Sequence, residues 1–420
     1  MGAGRPETFV SPRNLLTERS RLYADDRTTP SLHLEVLQPP AVRGLVPELS
    51  RTRSPDVWVY RYTNADSGWV LSIATHGAPG SGRVSLGGFR IAPAARVESA
   101  GYDNDAEAVG LATGMEEKVH WSRVIHAGGP LAHSHIQQLV GGKCVLLPSA
   151  DARVGQPRDF ELLDWALACF VDFERQSGVR LNTGQDLGHG LMSDGKTRSL
   201  DYLGKHFHGC VFSDTSRPTG EGNFYLLKGM LDALDIQLEG ARIGLVGCGN
   251  IGEWVLRRLL GAGASVVALE ARAEKREALR AELGADIRDA DARDELFASD
   301  IQALVVNANG GTLDMPGCSA LAANPALRVV CGSENLAMPD AHGAEVLRAA
   351  GKVYAPTEFG GMMGYLTAVE EYFARHEGKP YELHSMLEAA RRLEDAGREI
   401  TAMVRDSGFQ LSFEEAAERS

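Results

Sequence analysis

The sequence predicts an α/β protein in two domains, and three observations support this. Strand-like apolar runs alternate with helical stretches in the second half, which is typical of a parallel sheet covered by helices. The first half mixes hairpin-like strands with helices, as expected of a separate mixed α/β domain. The chain has 420 residues, too many for one simple core. We place the first domain at 1–215 and the second at 216–355, with helices over 356–420 returning to the first.

Charge and composition disfavour several classes of partner. The net charge is −13, and an acidic surface disfavours binding to nucleic acid or anionic membranes. No apolar run approaches the roughly 20 residues that cross a bilayer, and the N-terminus lacks the apolar segment of a secretion signal. The six cysteines are dispersed and form no Cys-x-x-Cys pair, as expected of reduced thiols in a cytoplasmic protein.

The first domain is expected to contain a β-hairpin followed by an interrupted strand. Residues 57–62 and 69–76 have strand composition and are separated by turn residues. A third strand over 83–91 is broken by Gly87 and Gly88, which indicates either a simple bulge or a close backbone approach. Further elements are predicted as helices over 105–119 and 159–178 and a glycine-interrupted strand over 139–148.

The segment 242–270 has the order strand, glycine loop, helix, strand, and its loop is a Gly-x-Gly-x-x-Gly motif. The first glycine permits the tight turn, the second lets the backbone approach a pyrophosphate at the helix N-terminus, and the third lets helix and sheet pack closely. This context predicts a Rossmann-type, doubly wound domain that binds a dinucleotide. The residues expected to contact the cofactor are Gly247, Gly249, Asn250, Ile251, Gly252, Glu270 and Asn309.

The predicted cofactor is NAD, with NADP the less favoured alternative. Glu270 ends the second strand of the motif, where a carboxylate can accept hydrogen bonds from the ribose 2′-hydroxyl and would repel a 2′-phosphate. Arg272 lies two residues further on and weakens this preference.

Three polar residues of the first half are candidates for chemistry on a substrate. Lys118 ends the block GMEEK, Lys143 follows two glycines in LVGGK, and Asp186 lies in the Gly/Asn-rich block LNTGQD. A lone lysine is ordinarily a solvated surface group, so these positions gain weight only from the motifs around them.

The chain resembles the glutamate/leucine/phenylalanine/valine dehydrogenase family, most closely the branch that acts on apolar amino acids. The likeness lies in short blocks between about residues 57 and 369. The blocks are SLGGFR (85–90), GMEEK (114–118), GGK (141–143), TGQD (183–186), RPTGEGNFYLLKGM (217–230), GSEN (332–335) and VYAP (353–356).

The resemblance implies a role for each matching residue. Lys118 would bind the substrate α-carboxylate, Lys143 would be the catalytic base that activates water, and Asp186 would carry protons to and from the amine. A buried lysine beside another cation loses proton affinity, which suits a base that works near neutral pH. The other implied contacts are Gly87, Gly88, Met115 and Gly364 to the substrate and Asn335 near the nicotinamide ribose.

The sequence also departs from the family pattern. The interval between Lys118 and Lys143 is longer than in the family, and its histidines (His120, His133 and His135) are too loosely spaced to predict a metal site. This piece is expected to form a surface loop, a lid or a subunit contact.

Gly222 replaces a threonine of the hinge, and the turn after the last strand reads TEFGGMMGYL (357–366). Gly361 stands where the family has an asparagine that contacts substrate. Met362, Met363 and Tyr365 would either reshape the substrate pocket or pack in the core.

These observations predict an NAD-dependent dehydrogenase that interconverts an apolar or aromatic L-amino acid with its 2-oxo acid and ammonia. The resemblance implies a homo-oligomer. Two alternatives stay open. One is an NAD(P)H-dependent imine or amine oxidoreductase of a specialised biosynthetic pathway, and the other is a catalytically degenerate relative that only binds a nucleotide or amino acid.

Overall fold

The computed structural model describes residues 31–420, so the first 30 residues of the predicted substrate domain lie outside it. The strands are β1 (His33–Leu37), β2 (Trp58–Asn64), β3 (Trp69–Thr75), β4 (Val84–Leu86), β5 (Phe89–Ile91), β6 (Leu139–Leu147), β7 (Arg180–Asn182), β8 (Arg242–Val246), β9 (Ser265–Leu269), β10 (Asp286–Arg288), β11 (Ala303–Val306), β12 (Val329–Gly332) and β13 (Val353–Tyr354). The helices are α1 (Pro39–Leu45), α2 (Ala94–Val97), α3 (Asn104–Val124), α4 (Pro130–His135), α5 (Asp159–Ser177), α6 (Ser199–His206), α7 (Ser216–Ala233), α8 (Asn250–Gly261), α9 (Ala273–Leu283), α10 (Arg293–Ala298), α11 (Met315–Ala323), α12 (His342–Ala349), α13 (Thr357–Glu377), α14 (Leu383–Ala389), α15 (Arg392–Asp406) and α16 (Phe413–Ala417).

The first half folds around a mixed sheet with the strand order β1-β2-β3-β6-β4-β7, and β5 pairs with β6 beside β4. Strands β2 and β3 form the predicted hairpin, and β3 continues antiparallel to β6. Strands β4 and β5 both run parallel to β6, and β7 runs parallel to β4. Helix α3 packs on β6 and β3, so it covers the centre of this sheet.

The second half forms a six-stranded, all-parallel sheet with the order β10-β9-β8-β11-β12-β13. Alternate residues of its central strands enter two different cores: Val305 of β11 packs with α7 and α8 residues, whereas its neighbour Leu304 packs with α10 and α11 residues. A parallel sheet needs apolar cover on both faces, and the sequence supplies it through consecutive apolar strand residues. The predicted α/β class with a Rossmann-like second sheet is confirmed.

The helices after β13 connect the two halves. Helix α13 packs against α3 and α4 of the first half and also against α7. Helix α15 packs along α7, where two glycines allow close approach: a Cβ built on Gly229 would lie 2.0 Å from the carbonyl oxygen of Glu394, and one on Gly397 would lie 2.7 Å from that of Leu226. The C-terminal helices therefore reach both the first half and the helix that leads into the second sheet.

Within residues 31–420, no helix combines the length and the apolarity that a bilayer crossing demands. All six cysteines are buried and none forms a disulfide.

Candidate active site

Lys143 and Asp186 meet beside the first sheet. Lys143 lies in the middle of β6, and its Nζ donates a hydrogen bond to Oδ2 of Asp186, which follows β7. Only 5% of Lys143 is exposed. The structure thus brings together two residues that are 43 positions apart in the sequence and that the motifs identified separately.

The paired glycines make room for this contact. Strand β4 pairs with β6 as far as Gly141, and β5 resumes at Cys144, so Gly87 and Gly88 lie beside Lys143. A Cβ on Gly87 would lie 1.8 Å from the carbonyl oxygen of Gly142, which no side chain tolerates. A Cβ on Gly88 would lie 3.1 Å from Nζ of Lys143. Gly87 therefore serves a close backbone approach, and Gly88 keeps the space in front of the lysine free.

Lys118 reaches the same region from α3. It is 6% exposed, and its Nζ donates a 2.8 Å hydrogen bond to Oδ1 of Asn335, in the loop after β12. This contact links the first sheet's helix layer to the second sheet. Gly361 of α13 lies against the lysine, since a Cβ there would be 3.1 Å from Nζ. Asn335 was expected at the nicotinamide ribose, and the structure places its side chain on Lys118.

Burial and neighbouring charges set the protonation of the three groups. Burial lowers the pKa of Lys118 to about 8; Glu358 opposes this shift and Lys143 adds to it. Burial also lowers the pKa of Lys143, against the attraction of Asp186. Burial alone would raise the pKa of Asp186, but Lys143 and Arg90 together hold it below its ordinary value. The site therefore holds an ionised carboxylate beside two lysines whose ammonium groups lose their protons at a lower pH than usual.

Sequence reasoning missed a buried ion-pair network behind Asp186. Arg90 of β5 donates from Nε and Nη2 to Oδ1 of Asp186, at 3.3 and 3.2 Å, and from Nη1 to Glu107 of α3 at 2.5 Å. Its position in the block SLGGFR was a usable signal, because an arginine in a strand with buried neighbours needs buried acidic partners. His189, also missed, fixes the same loop by donating from Nε2 to the carbonyl oxygen of Phe89 at 2.6 Å.

Other predicted substrate residues are placed as follows. Met115 is half-buried on α3 and packs against the core. Gly364 faces α7, since a Cβ there would lie 2.7 Å from Oγ1 of Thr219, whereas Gly361 faces Lys118.

The two methionines of the altered turn are fully buried in the core. A Cβ on Gly222 would lie 2.8 Å from Cγ of Met363, so the glycine at the altered hinge position receives the methionine. Tyr365 donates a hydrogen bond to the carbonyl oxygen of Lys118 at 3.1 Å. Of the two interpretations left open, these contacts favour core packing, and Tyr365 supports the helical turn that carries Lys118.

The glycine loop of the second sheet has the geometry that its motif predicts. Gly247 follows β8 with φ +89°, a conformation that glycine adopts without strain. A Cβ on Gly252 would lie 1.8 Å from the carbonyl oxygen of Gly247, so this glycine lets α8 pack against the loop. A Cβ on Gly249 would meet no atom of residues 31–420 within 4 Å, so these residues leave open space at the N-terminus of α8. Asn250 and Ile251 form the first turn of this helix.

Glu270 follows β9 and is 5% exposed. Its Oε1 accepts hydrogen bonds from the backbone N–H and Nε of Arg272, both at 3.0 Å. Burial alone would raise the pKa of Glu270, but the hydrogen bonds and charge of Arg272 hold it below its ordinary value. Glu270, which favours NAD, and Arg272, which weakens that preference, therefore form an ion pair. The chemistry of these residues fits a dinucleotide: the open space at Gly249 has room for a pyrophosphate, and an ionised Glu270 is a suitable acceptor for ribose hydroxyls.

The loop after β11 lies next to the glycine loop, at the carboxyl end of the second sheet. Asn309 is exposed in it, whereas Asn307, which sequence reasoning missed, lies beside Gly247 and accepts hydrogen bonds from the N–H and Oγ of Ser333 at 3.0 and 2.6 Å. Nδ2 of Asn307 is buried and has no hydrogen-bond partner within the described part of the chain. A free donor at the carboxyl end of the sheet is suited to a ligand.

The additional piece between Lys118 and Lys143 is held in place by α13. Glu370 accepts hydrogen bonds from the backbone N–H groups of Leu131 and Ala132 at the start of α4. His135 stacks on Phe373 and pairs with Glu377. Within residues 31–420 no three histidine, cysteine or acidic side chains are grouped so as to hold a metal ion.

Comparison with known proteins matches one segment of the chain to a family. Residues 211–314 match the family model Glutamate/Leucine/Phenylalanine/Valine dehydrogenase, which covers the hinge, the glycine loop and Glu270. No curated protein matches the chain.

Solved structures share the fold at low sequence identity. L-tryptophan dehydrogenase from Nostoc punctiforme is 19% identical, with a TM-score of 0.57 over 84% of this chain and 90% of that one. Hetero-hexameric glutamate dehydrogenase from Thermus thermophilus, in its Leu-bound form, is 16% identical, with a TM-score of 0.60 over 100% and 96%. Glutamate dehydrogenase from Plasmodium falciparum is 13% identical, with a TM-score of 0.60 over 90% and 84%.

The matched segment resembles a family of NAD(P)-dependent amino-acid dehydrogenases, and the solved structures show that the chain shares the fold of such enzymes. Over residues 211–314 the chain is similar to the glutamate/leucine/phenylalanine/valine dehydrogenase family.

Proposed function

We propose that the protein catalyses the NAD-dependent oxidative deamination of an apolar or aromatic L-amino acid to its 2-oxo acid and ammonia, and the reverse reductive amination. The observation that carries this proposal is the buried cluster of Lys118, Lys143 and Asp186. One cation is needed for the substrate carboxylate, one base for water, and one carboxylate to pass protons, and the cluster contains one group for each task.

In this proposal Lys118 binds the α-carboxylate, since a buried ammonium is a strong partner for a carboxylate. Binding replaces the hydrogen bond from Lys118 to Asn335 with an ion pair, so Asn335 becomes free to contact the substrate or the cofactor. The same ion pair favours the charged form of Lys118 and offsets the effect of burial on its pKa.

Lys143 acts as the base in its neutral form. It accepts a proton from the water that attacks the substrate iminium carbon, and Asp186 receives and returns protons through its hydrogen bond with Nζ. A bound nicotinamide would supply the acceptor for the hydride from the substrate Cα. Gly88 leaves room for that carbon in front of Nζ, because a side chain there would contact both Lys143 and Asp186.

The substrate side chain is proposed to be apolar or aromatic. Met115 is half-buried beside the lysine-bearing turn of α3, and Gly361 presents no side chain to Lys118. We further propose that residues 1–215 and the helices over 356–420 form the substrate domain, that 216–355 form the cofactor domain, and that the protein is a homo-oligomer.

NAD is the proposed cofactor because the ionised Glu270 would repel a 2′-phosphate. Initial rates with both cofactors test this directly. We expect a higher kcat/KM with NAD⁺, and a strong preference for NADP⁺ would contradict the role given to Glu270.

The decisive experiment measures reduced-cofactor fluorescence over a panel of L-amino acids and amines, with wild type, Lys143→Ala and the surface variant Lys205→Ala. We expect Lys143→Ala to lower kcat by about 100- to 10,000-fold while NAD⁺ affinity stays unchanged, because a general base contributes a factor of this size. Lys205 is exposed and serves as the matched control.

Three outcomes would contradict the proposal. Turnover of simple amines without a carboxylate would favour the amine oxidoreductase. Binding of NAD⁺ without turnover of any amino acid would favour a degenerate relative. Near-normal activity of Lys143→Ala would remove the assigned base.

A further inference from the structure

The two oxygens of Asp186 are shared between two cations on opposite sides. Oδ2 accepts from Lys143, whereas Oδ1 accepts from Nε and Nη2 of Arg90 and from the backbone N–H of Leu187 at 2.7 Å. The carboxylate therefore does not belong to Lys143 alone. Its negative charge is divided between an ammonium and a guanidinium, and the guanidinium stays charged at any pH at which the protein is folded.

Arg90 is in turn shared between two carboxylates. Its Nη1 donates to Oε1 of Glu107 at 2.5 Å, and the same oxygen lies 2.9 Å from Nε of Arg96 at the more exposed end of the network. Arg90 and Arg96 thus both bind Oε1 of this carboxylate, whereas its Oε2 is buried with no hydrogen-bond partner among residues 31–420. The result is a row of alternating charges: Arg96, Glu107, Arg90, Asp186, Lys143.

We propose that Arg90, held in place by Glu107, is a positioning residue for the reaction: it withdraws one oxygen of Asp186 from Lys143 and so keeps Lys143 ready to act as a base. This inference rests on the proposed function, and it assigns to Arg90 the cation effect that the sequence suggested for a second lysine. The charge on Arg90 itself also disfavours a second positive charge on Lys143.

The remaining groups around Lys143 do not substitute for Arg90. The ionisable side chains that face Lys143 are Arg90 on β5, Lys118 on α3, Asp186 and His189 after β7, and Cys144 beside it on β6. Burial raises the pKa of Cys144 to about 12 and lowers that of His189, so both are neutral near pH 7. Lys118 points to Asn335 and contacts no oxygen of Asp186 in a hydrogen bond.

The inference predicts opposite effects for two substitutions in the same network. In Arg90→Gln, Lys143 is the remaining cation that is hydrogen-bonded to Asp186, so its ammonium form is stabilised and its pKa rises. In Glu107→Gln, Arg90 is released from its second carboxylate and binds Asp186 more strongly, while one negative charge is lost, so the pKa of Lys143 falls. A merely structural network gives no reason for shifts of opposite sign.

The test measures the proton affinity of Lys143 in the full chain without relying on turnover. Proteins are pulsed with acetic anhydride at a series of pH values, and acetylation of the Lys143 peptide is read by mass spectrometry. We expect the midpoint to rise by about 1 pH unit in Arg90→Gln and to fall in Glu107→Gln, since one close charge shifts a pKa by about that amount. Arg90→Lys, which keeps the charge, should move the midpoint less than Arg90→Gln.

Arg61→Gln is the matched control, because Arg61 of β2 in the same sheet pairs with Glu35 of β1 and Asp105 of α3 and does not contact Asp186. It should leave the midpoint unchanged. If Arg90→Gln does not fold, Glu107→Gln decides the question alone: a fall supports the inference and an unchanged midpoint overturns it. Equal midpoints in all variants, or shifts of the same sign, also overturn it.

Activity measurements separate this inference from the proposed function. If the protein deaminates amino acids, the acidic limb of kcat/KM against pH should move with the labelling midpoint. Labelling shifts without any amino-acid turnover would leave the charge network established and the proposed function refuted. Turnover of an amino acid with an unchanged labelling midpoint would support the proposed function and overturn the role given to Arg90.

Discussion

The cofactor edge and the substrate cluster are built by different means. The predicted cofactor site depends mainly on the shape of the backbone. Gly247 permits the turn, Gly249 leaves space and Gly252 lets a helix approach, all within six consecutive residues. In the substrate cluster, side chains do the work, and they come from α3, β5, β6 and the loop after β7. The cofactor site is therefore encoded locally and tolerates little change of backbone shape, whereas the substrate cluster depends on the whole fold and tolerates little change of charge.

Of the changes that test this comparison, removal of the charge on Lys118 should have the largest effect on activity. In Lys118→Met the apolar stem is kept and the ammonium is lost, so a bound α-carboxylate would be buried without its cation. We expect kcat/KM for the amino acid to fall by about 100- to 1,000-fold, the cost of leaving one buried charge unpaired. Steady-state kinetics measures this, and titration of NAD⁺ should give an unchanged Kd.

Asn335→Ala is the useful companion variant, because it removes the neutral partner of Lys118 and leaves the ammonium. A loss in Lys118→Met no greater than that in Asn335→Ala would show that the ammonium does not bind substrate.

The second way to sharpen the comparison is to change two glycines of the cofactor loop. In Gly252→Ala the new methyl group would lie 1.8 Å from the carbonyl oxygen of Gly247, so the loop and α8 must separate and we expect Tm to fall by several degrees. In Gly249→Ala the methyl group enters open space, so Tm should stay unchanged while the Kd for NAD⁺ rises by about tenfold or more, because the backbone can no longer approach the pyrophosphate. Thermal melts and fluorescence titration separate the two effects, and equal losses of Tm would refute the distinction.

The same contrast explains how much the sequence could predict. The glycine loop, the parallel sheet and the hairpin follow from local patterns, and the structure has all three. Lys143 and Asp186 were identifiable only because each lies in a motif of its own. Arg90 also lies in a motif, SLGGFR, but the motif does not show which residues it pairs with, since its partners are 17 and 96 positions away and a single arginine in a three-residue strand has no periodicity to detect. Met363 shows a second limit: a buried methionine has the same sequence pattern whether it lines a pocket or, as here, fills the space at Gly222.

The smallest expected effect concerns the proton of Lys118 and distinguishes charge from shape in the substrate cluster. The pKa of Lys118 is lowered to about 8 by burial, so its ammonium is present below that pH and is lost as the pH rises above it. A saturated carboxylic acid, which lacks the amine and stays ionised across this range, should therefore inhibit with a constant Ki below about pH 7.5. Above the pKa, Ki should rise by up to tenfold per pH unit, since only the protonated lysine binds a carboxylate. A neutral apolar amide of the same size fills the same space without a charge, so its Ki should not follow the pH. If both inhibitors show the same pH dependence, the pocket binds by shape alone and the contrast between the two regions does not hold.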